Sequence, residues 1–115
     1  MGAGLSKNRI KGLSASVDQN SAVLILGTLP GRMSLTYGKY YADPSNKFWD
    51  ILFIACGEKI DKTDQGKKQL LEKYHIALWD ILYSAVRKTS NDKDISDETP
   101  NNLPLFLSQY PNIKL

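Results

Sequence analysis

A four-residue apolar run that ends in a turn with two glycines and a proline constrains this chain more than any other feature. The run is Val23-Leu24-Ile25-Leu26 and the turn is Gly27-Thr28-Leu29-Pro30-Gly31. Such a run is too short to span a membrane, is rich in strand formers, and reads as a strand buried on both faces. The two glycines and Pro30 force an irregular backbone at the strand's carboxyl end. In open α/β sheets that crevice is where ligands bind. Tyr37, Tyr40 and Tyr41 follow, then Asp43-Pro44-Ser45-Asn46, then a helix opening on Lys47-Phe48-Trp49. Aromatic and polar side chains therefore gather at one strand end.

Length limits the chain to one small domain: 115 residues, of which 42% are hydrophobic, enough for a core. A net charge of +3 suits an anionic partner and equally suits plain solubility. The single Cys56 lies in an apolar run and reads as a buried small hydrophobe without a disulfide. No Cys/His cluster suggests a metal site, and neither metal nor cofactor is expected. The opening MGAGLSKNRIKG lacks a signal peptide's apolar core, so a cytoplasmic monomer that does not engage membrane is expected.

Read in order, residues 1–20 form a loosely held arm whose Lys7, Arg9 and Lys11 can touch phosphates. Residues 22–27 are the first strand and 28–46 a long loop, whose tyrosines argue for function over disorder. Phe48, Trp49, Ile51, Leu52, Ile54, Ala55 and Cys56 have the spacing of a largely buried helix that stops at Gly57. Ser45 or Asn46 can cap it. Residues 59–65 read as an exposed loop and 67–74 as a second helix with Leu70 and Leu71 inward. His75-Ile76-Ala77-Leu78-Trp79-Asp80-Ile81-Leu82 follows, with His75 at a solvent edge. Residues 83–102 are a polar stretch, 103–109 a short helix, and 111–115 the start of another strand. Two helices between the strands supply a parallel crossover. The expected fold is a three-layer α/β/α arrangement, with strand 23–26 central in a parallel sheet and parallel to 76–81.

These stretches resemble the uracil-DNA glycosylase superfamily, most closely its hypoxanthine (deoxyinosine) DNA glycosylase group. The resemblance rests on Gly27-Thr28-Leu29-Pro30-Gly31, Ser34-Leu35, Gly38-Lys39-Tyr40-Tyr41 and Asp43-Pro44-Ser45-Asn46-Lys47-Phe48-Trp49, in that order. Residues 75–82 extend it as the counterpart of the family's second strand, G-I-x-L-W-D-x-I, with His75 in place of the glycine, as does Arg87-Lys88-Thr89-Ser90-Asn91-Asp92-Lys93-Asp94-Ile95 against the family's R-x-G-S-x-D-x-x-I. The family domain continues for roughly another third, so the resemblance implies an incomplete domain: a flexible arm over 1–20 and the first two thirds of a glycosylase domain over 21–115. The absent part supplies, in the family, an Asn-Gly strand end that reads the base and a Ser/Pro-rich wedge.

The implied activity is hydrolytic excision of a deaminated base, hypoxanthine first and uracil second, from DNA. Water attacks a sugar with oxocarbenium character while the flipped base is held. An uncharged Asn can hold that water, and in the hypoxanthine group this role carries over to Asn46; capping the helix is the plainer reading of the same residue. The mismatch-specific group places its water-holding Asn at the position of Leu29, which cannot do that work. Gly27, Thr28 and Leu29 are implied to bind the base through backbone amides. Tyr40 and Tyr41 offer stacking faces, with Tyr41 favoured, while Phe48 and Trp49 read as core. Ser90, Arg87 and Lys47 are implied to contact DNA, and Asp92 to order the loop. Asp43 and Ser45 stand where the family has His and Arg, which weakens phosphate contacts. Two rivals remain. A non-catalytic nucleic-acid-binding remnant would differ in whether Asn46 matters. A nucleotide-binding module is disfavoured by the missing phosphate-loop and dinucleotide spacings.

Overall fold

The computed structural model describes residues 9–87 and 95–114. The 23–26 run forms the strand it predicts: β2 (Val23–Gly27) pairs in parallel with β3 (Ile76–Asp80), from Val23 opposite Ile76 to Gly27 opposite Asp80. Between them lie α1 (Arg32–Tyr37), α2 (Phe48–Ala55) and α3 (Asp64–Tyr74). Side chains alternate across this pair as the two-residue period of a strand requires. Ile25, Ile76 and Leu78 face Trp49 and Phe53 of α2 and Leu70 of α3. Leu24, Ala77 and Trp79 face the other way, onto Phe106 of α4 (Leu103–Gln109) and Ile113. Helical layers thus cover both faces of β2–β3.

The parallel sheet extends no further among the described residues. A second sheet is antiparallel, with β4 (Leu82–Arg87) between β1 (Arg9–Lys11) and β5 (Ile95–Pro100). The expected parallel central sheet is therefore corrected to a parallel pair beside an antiparallel sheet. β3 and β4 are one extended segment that changes neighbours at Ile81: Ile81 N–H donates to the Gly27 carbonyl (2.8 Å) and Leu82 N–H to that of Thr28 (3.1 Å). The stretch 83–102, read as polar, is paired on both sides of residues 88–94. Leu82, Ser84, Ala85 and Arg87 are buried in β4, and β5 borrows its order from that neighbour. Its Asp97 at φ 52° and its terminal Pro100 mark an edge strand.

Several boundaries also move. Within the stretch read as an arm, β1 is paired, and Ser16 exchanges two hydrogen bonds of 2.9 Å with Leu78. The long 28–46 loop contains α1, closed by Gly38 at φ 66°. α2 buries only Trp49 and Phe53, leaving Ile51 63% and Ile54 66% exposed. α3 begins three residues early because the Thr63 hydroxyl accepts from Gly66 N–H at 3.0 Å. His75 ends that helix in the left-handed region, φ 58°. Residues 111–114 form no strand; Ile113 is buried and Lys114 N–H reaches the Ala22 carbonyl at 3.4 Å. No helix of the described residues is long and apolar enough to cross a membrane.

Candidate active site

At the carboxyl ends of β2 and β3 opens a cleft of about 690 Å³, lined by residues 27–34 together with Tyr40, Tyr41, Asp43, Asn46 and Asp80. Its floor exists because position 27 lacks a side chain. A Cβ there would overlap the Asp80 carboxylate and stand 3.4 Å from the Tyr41 hydroxyl. The Leu29 side chain points down into a cluster with Leu82 and Ala85, so residue 29 meets the cleft through its backbone. The wall is built by the aromatic pair. Tyr41 takes the left-handed conformation (φ 54°), unusual for a non-glycine residue. It stacks on Phe48 with ring centroids 3.7 Å apart. Tyr40 lines the same wall and is fixed there: its hydroxyl donates to the Ser14 carbonyl (2.8 Å), and Trp49 Nε1–H donates to its backbone carbonyl (3.0 Å).

Asn46 sits on the rim, exposed, with Oδ1 accepting the Phe48 N–H at 2.8 Å. A carbonyl oxygen has a second lone pair, so this turn leaves Asn46 able to accept from water. Asp43 organises the approach to it, accepting from the Ser45 N–H (2.9 Å) and hydroxyl (2.8 Å). Those bonds hold the exposed Asp43 carboxyl below the usual carboxylate range, so it is ionised. Burial, and after it the charge of Asp80, pushes both tyrosine hydroxyls above their ordinary range. Tyr40 and Tyr41 are therefore neutral donors at any physiological pH.

Six of the residues singled out from the sequence come together here: Gly27, Thr28, Leu29, Tyr40, Tyr41 and Asn46. Lys47 is exposed but does not line the cleft. Arg87 is buried, 5% exposed, and its guanidinium donates to the carbonyls of Leu29 and Pro30. Its expected DNA contact thus falls on a buried side chain that faces the turn. Ser90 and Asp92 lie outside the described residues. Asp80 was missed: it closes a Leu-Trp-Asp strand end, and its signal was the pairing that sets it opposite Gly27. Among the described residues no group of His, Cys, Asp and Glu is arranged to hold a metal.

The family model described as the uracil DNA glycosylase superfamily matches residues 15–115. Proteins named hypoxanthine DNA glycosylase from Methanosarcina barkeri and Methanosarcina acetivorans are each 34% identical over 106 residues, which is 91% of this chain and 67% of theirs. The solution NMR structure of a Methanosarcina acetivorans protein put forward as a uracil DNA glycosylase superimposes with a TM-score of 0.80 at 33% identity, covering 92% of this chain and 66% of that one. The chain thus spans about two thirds of the length of the relatives it matches.

Proposed function

The chain belongs to the uracil DNA glycosylase superfamily, and on that premise we propose that its cleft serves the hydrolytic removal of a deaminated base from DNA. The observation that carries this reading is the convergence of Asn46, Tyr41 and the 27–31 backbone on one opening. Asn46 accepts a hydrogen bond from the attacking water with the lone pair its turn leaves over. Tyr41, with one ring face on Phe48, offers the other to the flipped base; stacking of this kind contributes about 1–3 kcal/mol per base. The reaction consumes only water, so the chemistry calls for no metal or cofactor. Hypoxanthine is the first substrate and uracil the second. The relatives named for hypoxanthine support that order, as does Leu29, a residue that cannot hold water.

A second reading is a binding module without turnover. It is favoured by the use of Asn46 Oδ1 in a local turn, which capping alone would explain. Duplexes carrying hypoxanthine or uracil, incubated with the protein and then treated with alkali, separate the two. Strand scission at the lesion, lost by about 10²-fold or more in Asn46→Ala, is the outcome expected of a water-positioning group. Binding without scission establishes the module instead.

A further inference from the structure

Arg87 lies at the end of β4, directly behind the turn that forms the cleft, and it is a cation withdrawn from water. Burying a guanidinium is costly unless acceptors surround it. Here the acceptors include the carbonyls of Leu29 and Pro30. Neither carbonyl belongs to a strand ladder, and the peptide between them, ending on Pro30, carries no N–H of its own. The turn therefore has few backbone bonds with which to fix itself. Among the described residues, Gly27 and Thr28 are held by Ile81 and Leu82, and the next backbone bond along the chain is the Leu35 N–H on the Gly31 carbonyl at 3.1 Å. Between these two anchors Arg87 is the brace.

We propose that Arg87 is a positioning residue, whose forked hydrogen bonds to Leu29 and Pro30 set the shape of the 27–31 turn from inside, and that it is not a ligand for DNA phosphate. In a trans peptide the carbonyl and the following N–H point to opposite sides. Drawing the Pro30 carbonyl inward onto Arg87 turns the Gly31 N–H outward, on the side where Gly31 lines the cleft. The same fork keeps Leu29 down among Leu82 and Ala85, so the side chain stays out of the opening. Lysine cannot reproduce this, because a single ammonium on a flexible stem lacks the planar spacing that spans two carbonyls.

The inference deepens the proposed function of the same cleft, and its test has an arm that needs no activity. Amide hydrogen exchange of the full chain is compared for wild type, Arg87→Lys and Arg87→Met. Positioning predicts about tenfold faster exchange at Leu35 and Leu82, whose amides report on the turn, with Leu78 in the core unchanged. Unchanged exchange at Leu35 and Leu82 in Arg87→Lys overturns the proposal even if Arg87→Met fails to fold. The second arm is the salt dependence of binding to a lesion-bearing duplex. A positioning residue leaves the slope of log K against log salt as it was, whereas loss of a phosphate contact in Arg87→Met flattens it by about 0.9 and also overturns the proposal. A chain that binds no DNA sinks the proposed function, while the exchange arm still decides the role of Arg87.

Discussion

Tyr41 and Gly27 show how single residues shape the cleft. Tyr41 accepts a left-handed backbone, and the stack on Phe48 and burial of its ring compensate. Gly27 is required for its lack of a side chain, because Asp80 fills the space a Cβ would take. Gly27→Ala is expected to lower stability by about 1–3 kcal/mol in urea unfolding, the usual cost of overpacking. An unchanged midpoint would mean that Asp80 swings away freely. The tyrosines give a pH signature with a definite sign. Burial first, then Asp80, raises both pKa values, so the folded state holds these protons more tightly than the unfolded chain. That stabilisation is fully present below about pH 10, the ordinary tyrosine value, and is lost as pH rises through the folded pKa values. Asp80→Asn removes the smaller cause, so phenolate absorbance in an alkaline titration is expected to rise at lower pH than in wild type. Coincident titrations would show that Asp80 contributes nothing to the shift.

Helix α3 shows what an element owes to its ends. Thr63 caps it, and Gly66, inside the first turn, lies against the backbone carbonyl and side chain of Asp61. Thr63→Ala is expected to cost about 1 kcal/mol. Gly66→Ala sets a propensity gain of up to about 1 kcal/mol against a clash with fixed backbone. The clash wins, and a melting temperature above wild type would show that the Asp61 backbone yields to the added methyl. His75 presents the reverse case, a non-glycine at φ 58° where the family pattern has glycine, so His75→Gly is expected to be neutral or slightly stabilising. Legibility in the sequence followed the same logic. β2 and α2 announced themselves through apolar spacing, β3 through the motif it resembles, and the meeting of Asn46 and Tyr41 on one cleft through the ordered stretch from Gly27 to Trp49. β5 did not, because Ser96, Asp97 and Glu98 carry no strand signal, and its pairing with β4 through Ile95, Ser96, Thr99 and Pro100 runs through an irregular register. The 83–102 stretch looked polar because Ser84 and Arg87, polar by type, are buried by position. Asp80 and Arg87 took their places from partners distant in sequence, which spacing alone does not reveal.

At the scale of the whole molecule, the described residues leave apolar surface open beside the cleft. Much of the open apolar surface lies on two elements, Val23 and Leu26 on β2 and Ile51 and Ile54 on α2. Among the described residues β2 is paired as a strand with β3 alone, so one edge of the strand that carries the cleft is bare but for the Lys114 bond to Ala22. The relatives carry about a third more chain. Joining to this chain the third of such a relative that it does not match is expected to raise the melting temperature, because paired and covered edges no longer invite association. The catalytic consequence is larger. On the proposed reading Asn46 and Tyr41 offer water positioning and stacking, and the family resemblance gives reading the base edge and wedging the duplex to the appended third. Extruding a nucleotide costs a few kcal/mol, and each 1.4 kcal/mol left uncompensated slows the reaction about tenfold. Single-turnover excision from a hypoxanthine duplex is therefore expected to be at least about 10²-fold faster in the extended protein than in the 115-residue chain. Equal rates in the two would mean that the cleft built by residues 27–46 already holds everything the reaction needs.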